Sequence, residues 1–135
     1  MANNLSDYLS NALQNHVLNG TAYPSPSATV AIALCTAQPT GATLNEHPNT
    51  NGYARTAFTD WTTATSPAGL IKNNSAIIFA AASGNWTEVT HVAICDSATY
   101  GGWEFLYWGL LDTAKTLTNG DVFQFDANQL TITIH

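Results

Sequence analysis

The stretch TEVTHVAICDSATYGGWEFLYWGLL, residues 87–111, decides the fold. Apolar and β-branched residues alternate with a period of two in both of its halves, which predicts two strands. The segment between them, residues 96–102, contains Asp, Ser and Gly residues that favour a turn. The alternation gives each strand two faces: Val92 and Ile94 against His91, Ala93 and Cys95, then Leu106, Trp108 and Leu110 against Phe105, Tyr107 and Leu111.

The second of these strands carries large apolar side chains on both faces. A strand of this kind is covered on both sides. We therefore expect the protein core on one face and either a helix or another chain on the other.

Shorter segments with the same alternation lie on either side of this hairpin, at roughly 10-residue spacing. They occupy residues 28–36, 53–58, 75–80, 122–126 and 130–134, whereas residues 37–52, 60–69 and 112–115 are polar and predict loops. Since no helices alternate with the strands, a parallel sheet is not expected. The pattern predicts a mainly β fold, with residues 21–135 forming a single antiparallel β-sandwich or jelly-roll-like domain.

One amphipathic α-helix precedes the β segments. Apolar residues recur at helical spacing over residues 4–19 and form one stripe: Leu5, Tyr8, Leu9, Ala12, Leu13, His16 and Val17. Asn3, Asn4 or Ser6 is the expected N-cap. Gly20 supplies the left-handed stop. Residues 1–20 are therefore expected to form a helix that docks on the β domain or on a partner.

The composition is poor in charge. Charged residues make up 9% of the 135-residue chain, against roughly 25% in ordinary soluble domains. Only Arg55, Lys72 and Lys115 are cationic, and the formal net charge is −6. Without a basic surface, the chain is not expected to bind nucleic acid or an anionic membrane. Weak repulsion between copies suits a subunit that packs against neighbours.

Cys35 and Cys95 are the only cysteines, and both fall within apolar strand patterns. We expect small buried hydrophobic residues, with a disulfide as the open alternative because it depends on their proximity. The first residues do not resemble a signal peptide, and no apolar run is long enough to span a membrane. We therefore expect synthesis in a reducing cytoplasm with free thiols.

Candidate groups for catalysis or metal binding are few. None of the four histidines lies at metal-ligand spacing from another His or Cys, and no G-x-S-x-G motif is present. His47 beside Glu46 in the long loop is the least ordinary pair, with a solvated loop as the alternative. Five acidic residues suit either a calcium site or turns: Asp96, Glu104, Asp112, Asp121 and Asp126. We expect no catalytic site, no cofactor and no bound metal.

Arg55 is the sole guanidinium in a chain with nine acidic residues. Its planar donors favour a bidentate carboxylate partner. We expect a salt bridge within the chain or with the carboxylate of a partner.

Several segments together resemble a family of small structural proteins of tailed bacteriophages, often described as tail fibre or minor tail proteins. The resemblance covers nearly the whole chain. It rests most on GTAY at residues 20–23, GYAR at 52–55, WTEVTH at 86–91 and LYWG at 106–109. The group is also similar to small β-rich proteins that decorate capsid shells.

The resemblance implies a virion structural protein without enzymatic activity, assembled in the host cytoplasm. The main expectation is a capsid decoration (cement) protein. Homo-oligomers, trimers or dimers, would bind the major capsid protein and stabilise the assembled head by mass action. The alternative is a tail fibre or tail-tip module that binds a host receptor.

Aromatic and helix residues are the expected interface anchors, because buried aromatic side chains dominate the energetics of such contacts. The candidates are Tyr8, Leu9, Leu13, Tyr53, Arg55, Trp61, Trp86, Trp103 and Tyr107. For the helix residues, docking within the chain is an equal alternative.

Overall fold

The computed structural model describes residues 4–22, 30–40, 43–66, 69–101 and 104–133. These residues form a mainly β fold with one helix near the start. The elements are β1 (Asn4–Leu5), α1 (Asp7–Asn19), β2 (Ala31–Cys35), β3 (Thr56–Ala57), β4 (Ile71–Lys72), β5 (Ile77–Ile78), β6 (Val89–Cys95), β7 (Phe105–Lys115), β8 (Gln124–Phe125) and β9 (Thr131–Ile132). No helix in these ranges is long and apolar enough to cross a membrane.

The central sheet has five antiparallel strands in the order β1-β7-β6-β2-β3. Its middle is the predicted hairpin, β6 with β7. The full length of β2 pairs with β6, from Ala31 opposite Cys95 to Cys35 opposite His91. Two short sheets, β4 with β9 and β5 with β8, complete the described fold. The prediction of a mainly β antiparallel fold with an N-terminal helix is confirmed.

The main hydrophobic core lies between one face of the central sheet and the two short sheets. The central sheet contributes the buried residues Ile32, Leu34, Val92 and Ile94. The other side contributes Ile77, Phe79, Phe123, Leu130 and Ile132. Each layer buries the apolar face of the other, which is the packing of a sandwich-like fold.

The opposite face of the central sheet consists of small side chains. Ala33, Cys35, Ala93 and Cys95 are fully buried there. Both cysteines are free. Because Cys35 pairs with His91, it is separated from Cys95 by roughly 13 Å along the strand, at about 3.4 Å per residue, which is beyond the reach of a disulfide. Burial raises the pKa of the Cys95 thiol to about 12, so the expectation of buried, unpaired cysteines agrees with the structure.

A β-bulge changes the predicted faces of β7. Tyr107 pairs with Ile94, but the next pair joins Phe105 to Cys95 and leaves Leu106 as the extra residue. Phe105 consequently packs on the small face, while Tyr107 packs against the main core. The prediction that Phe105 and Tyr107 share a face is therefore wrong, because a bulge interrupts the period of two that the prediction assumes.

β7 also continues beyond its apolar residues. The polar segment 112–115 predicts a loop, but in the structure β7 runs to Lys115, which pairs with Val89 of β6. Pairing of the backbone keeps this end extended although its side chains are exposed. The prediction of a loop is wrong because strand pairing depends on the partner backbone as well as on side-chain hydrophobicity.

The remaining predicted strands are present but shorter. Residues 28–36, 53–58, 75–80, 122–126 and 130–134 contain β2, β3, β5, β8 and β9 in that order, with residues 28–29 and 134 outside the described ranges. The pattern did not predict β1 and β4. A strand of two residues contains too little alternation to be recognised.

Helix α1 starts later than the predicted residue 4. Asn4 and Leu5 form β1 instead, paired with Trp108 and Tyr107 at the edge of the central sheet. The backbone of these two residues is thus bonded to β7 and is not available to a helix.

Both ends of α1 are capped as the sequence predicts. The Ser6 hydroxyl accepts a hydrogen bond from Leu9 N at 3.1 Å, which satisfies one of the free amides of the first turn. Gly20 ends the helix with a φ of 69°, a left-handed conformation that glycine adopts without strain. Of the three predicted N-caps the structure selects Ser6, and Asn3 lies outside the described residues.

Candidate functional site

The long polar loop predicted at residues 37–52 is anchored to the fold near Glu46 and His47, whereas most of its other described residues, in 37–40 and 43–52, are exposed. Glu46 forms an isolated bridge with Cys35 of β2. The adjacent His47 is only 1% exposed. The alternative of a solvated loop at His47 is therefore wrong, because this part of the loop is a packed piece of the interior.

Glu46 and Arg55 form a buried ion pair. Arg55 donates from Nε to Glu46 Oε2 at 2.9 Å and from Nη2 to Oε1 at 2.8 Å. The side chains are 2% exposed for Arg55 and 6% for Glu46. Arg55 Nη1 also donates to the Ser97 carbonyl at 3.0 Å. The salt bridge expected for Arg55 is thus formed within the chain, in the bidentate geometry that a guanidinium favours.

Tyr53 shares the same carboxylate. Its hydroxyl donates to Glu46 Oε2 at 2.7 Å and accepts from Leu34 N at 3.0 Å. Burial, together with the negative charge of Glu46, raises the pKa of Tyr53 far above its ordinary value. Tyr53 therefore stays neutral and joins the loop to β2.

His47 is held by two hydrogen bonds that fix its tautomer. Its Nε2 accepts from Thr87 N at 3.1 Å, so the proton is on Nδ1, which donates to the Pro48 carbonyl at 2.8 Å. The ring lies 4.9 Å from that of Tyr53 and 5.1 Å from that of Trp86, measured between centroids. These contacts fasten the loop to the segment that leads into β6.

Trp86 completes this arrangement. Its indole Nε1 donates to the Asn51 carbonyl at 2.8 Å. We call the whole group the polar cluster; it consists of Glu46, His47, Tyr53, Arg55 and Trp86.

The hydrogen-bonding groups of the polar cluster are directed at one another and at the backbone. A general acid or base must reach its substrate, and these groups are buried and bonded to one another or to the backbone. Among the described residues, no buried side-chain nitrogen or oxygen lacks a hydrogen-bond partner. The same residues contain no group of three or more His, Cys, Asp or Glu that could hold a metal ion. The cluster therefore ties the long loop to the sheet.

Two of the acidic residues weighed for a calcium site act in turns. Asp96 accepts a hydrogen bond from Glu104 N at 3.1 Å, which closes the β6–β7 connection. Asp121 accepts from the Thr118 backbone N at 2.9 Å and from its hydroxyl at 3.0 Å. These two hydrogen bonds, the backbone one first, lower the pKa of Asp121. Both carboxylates thus have the turn role that Asp commonly takes.

The structure separates the aromatic interface candidates into buried and partly exposed residues. Tyr53 and Trp86 are each 3% exposed, so they offer almost no surface to a partner. Trp61 is half-buried and packs edge-on against Phe58 at 5.0 Å. Tyr107 is half-buried against the main core. Trp103 lies outside the described residues.

The interface candidates on α1 are buried or half-buried, whereas the apolar residues at the end of the helix are exposed. Leu9 is 3% exposed where α1 packs on β7, and Tyr8 and Leu13 are half-buried. Further along, Val17 is 72% exposed and Leu18 is 74% exposed. The first turns of α1 are thus docked on the sheet and the last turns lie open to solvent. We call the open part, Val17 and Leu18, the helix tip.

Several aliphatic side chains that are absent from the predicted interface candidates are exposed in the structure. Leu18, Leu110, Ile78 and Val122 all present large apolar surface to solvent. The signal for Leu110 was its place on a strand with apolar residues on both faces. For Ile78 and Val122 the exposed face depends on the pairing of β5 with β8, which sequence alternation alone does not give.

A comparison with known families identifies the relatives of this fold. The family model described as "Podophage GP4 fiber I protein gp80" matches residues 4–133, which include every helix and strand of the described structure. The chain belongs to this family. No curated protein matches the chain in a sequence search.

Membership in the gp80 fibre family makes the chain a structural protein of a tailed-phage virion, of the tail fibre kind. The expected resemblance to phage tail proteins is thereby confirmed. The description of the family favours the fibre alternative over capsid decoration. A structural role also agrees with the polar cluster, whose groups form hydrogen bonds within the chain.

Proposed function

We propose that the chain is a tail fibre subunit that acts mechanically, by binding other copies of itself through the helix tip. The observation that carries this proposal is the exposure of Val17 and Leu18, at 72% and 74%, at the end of a helix whose start is firmly docked. Large exposed apolar side chains that adjoin one another are characteristic of interaction surfaces.

The charge of the helix supports self-association. Asp7, in the first turn, is the only charged residue of α1 at neutral pH with histidine neutral. The helix tip carries no formal charge, so two copies can meet there without repulsion between like charges. Burial of apolar surface contributes roughly 25 cal/mol per Å², which makes the helix tip the part of α1 that gains most from a partner.

The geometry of the helix places this surface away from the sheet. A helix of 13 residues is about 20 Å long at 1.5 Å per residue. Leu9, near its start, is the residue buried on the sheet, and the helix continues for about 15 Å from Leu9 to its end at Asn19, with residues 14–19 all exposed. The exposed end of the helix is therefore accessible for a contact between subunits.

Capsid decoration is the second candidate. The low charge and neutral polar surface of the chain suit a protein spread over a capsid as well as one packed in a fibre. That role would add the major capsid protein as a partner, whereas the fibre role requires only other tail components.

Immunogold labelling of intact particles, with antibody against the purified chain, tests the location. We expect gold on the tail and no binding of the purified chain to isolated heads. Gold confined to the heads, with uptake of the chain onto them, would contradict the fibre proposal and support decoration.

A further inference from the structure

A cleft of 370 Å³ opens beside the far half of β7. It is lined by residues 110–113 and 115 of β7, by residues 123–126, 129 and 130, and by Val92. Ligand sites in proteins commonly have volumes of about 300 to 1,000 Å³, so this cleft has the size of a site for a small molecule.

The floor of the cleft is apolar. Val92, Phe123 and Leu130 are buried beneath it, and the partly exposed ring of Phe125 lies at its side. Phe123 holds Phe125 edge-on, with centroids 5.2 Å apart and planes at 72°. A partly exposed aromatic ring in this setting offers a flat apolar surface to a ligand.

The rim of the cleft consists of polar side chains that can donate or accept hydrogen bonds. Its exposed side chains include two carboxylates, two primary amides, one hydroxyl and one ammonium group: Asp112, Asp126, Gln124, Gln129, Thr113 and Lys115. Gln124 Nε2 donates to Asp126 Oδ1 at 2.6 Å. This bond holds the two groups together, with Asp126 Oδ2 and Gln124 Oε1 as further acceptor atoms.

An apolar floor below a rim of carboxylates and amides matches the two-sided chemistry of a pyranose sugar. One face of such a ring carries C–H groups that pack on an aromatic side chain, and its edge carries adjacent hydroxyls that donate and accept hydrogen bonds. A planar carboxylate or amide can bond two adjacent hydroxyls at once.

We propose that this cleft binds a pyranose that is neutral or carries an amino group. Two carboxylates against one ammonium group give the rim a formal charge of −1, and the whole chain is at −6. A uronic acid or a phosphate would meet this negative field, whereas a neutral or amino sugar does not. The proposal goes beyond the structural role, because a fibre subunit that assembles through its helix tip does not need a sugar site.

Titration of the ¹⁵N-labelled chain with single sugars, followed by amide chemical shifts, tests the site. The probes are galactose, N-acetylglucosamine, glucosamine and glucuronic acid at millimolar concentration. We expect shifts confined to residues 110–115 and 123–130 for one or more of the first three sugars, and binding of glucuronic acid at least about tenfold weaker.

Asp126→Asn and Asp60→Asn form a matched pair of variants. Both carboxylates are exposed and accept one side-chain amide bond, from Gln124 and from Asn74 respectively, but only Asp126 lines the cleft. We expect sugar affinity to fall about tenfold in Asp126→Asn, since a charged acceptor is replaced by a weaker neutral one, and to stay unchanged in Asp60→Asn. The amide spectrum reports in the same experiment that each variant is folded.

Three results would overturn the proposal: no shifts with any of the sugars, equal effects of the two variants, or glucuronic acid bound as tightly as the neutral sugars. None of them bears on the fibre proposal, which labelling of particles and self-association test separately.

Discussion

The polar cluster and the helix tip differ in which kinds of side chain they bury and which they expose. The polar cluster contains the arginine, the histidine beside a glutamate and two of the aromatic residues that suggest a function in the sequence, yet all are buried and bonded within the chain. The helix tip contains only ordinary aliphatic residues, and they are exposed. Chemically distinctive residues can thus be taken up in packing the fold, whereas the surface proposed for self-association consists of ordinary apolar residues.

The polar cluster should be costly to break. Glu46→Gln removes the charge that balances Arg55 and disturbs the bonds from its Nε and Nη2. Removal of one partner of a buried ion pair typically costs about 3 to 5 kcal/mol, because the other charge stays buried without compensation. We expect a loss of this size in the free energy of unfolding, measured by urea denaturation.

Glu88→Gln is the matched control, since the Glu88 side chain is exposed. Its effect should stay within about 0.5 kcal/mol, as for most surface substitutions. Equal urea midpoints for the two variants would show that the ion pair does not hold the loop.

The two ends of the helix stripe should respond differently to truncation. Leu9→Ala removes a buried side chain where α1 meets β7 and should cost about 2 to 3 kcal/mol of unfolding free energy. Val17→Ala truncates an exposed side chain on the same stripe and should change stability by less than about 0.5 kcal/mol. Urea unfolding of dilute protein measures both; a cost for Val17→Ala that matches Leu9→Ala would mean that the helix is docked along its whole length.

The smallest effect is expected at the Asp121 turn, at acid pH. Thr118 donates two hydrogen bonds to this carboxylate and keeps its pKa in the folded chain below the ordinary value of 3.8. The resulting stability is present above the ordinary pKa and is lost as the pH falls through the lowered folded value. The urea midpoint of the wild-type chain should therefore drop more between pH 5 and 2 than that of Asp121→Asn. Parallel curves for the two proteins would contradict the turn bonds.

The sequence predicts the hairpin and the helix because both have strong local periodicity. The alternation of Val92 and Ile94 with Ala93 and Cys95 defines two faces, and the structure places large side chains on one and small ones on the other. Ser6 and Gly20 likewise cap α1 through local chemistry. The bulge at Leu106 escapes prediction because it depends on pairing with β6.

The arrangement of the sites depends on tertiary contacts, and the sequence shows them only in part. Glu46 meets Arg55 across a loop, and Trp86 reaches the Asn51 carbonyl from a segment distant in sequence. The proposed sugar cleft joins side chains of β7 to residues 123–130, a contact that no local pattern contains. The stripe on α1 was visible, but which part of it the sheet covers depends on how the helix docks.

Self-association through the helix tip tests the central claim most directly. Sedimentation velocity of the wild-type chain over a range of concentrations should show dimers or trimers. The double variant Val17→Gln, Leu18→Gln should be monomeric with an unchanged far-ultraviolet spectrum, because glutamine keeps the helix and removes the apolar surface. The control Ile78→Gln, Val122→Gln replaces two other exposed apolar side chains and should stay oligomeric. A wild-type chain that is monomeric at every concentration, or a helix-tip variant that assembles like the wild type, would contradict the account.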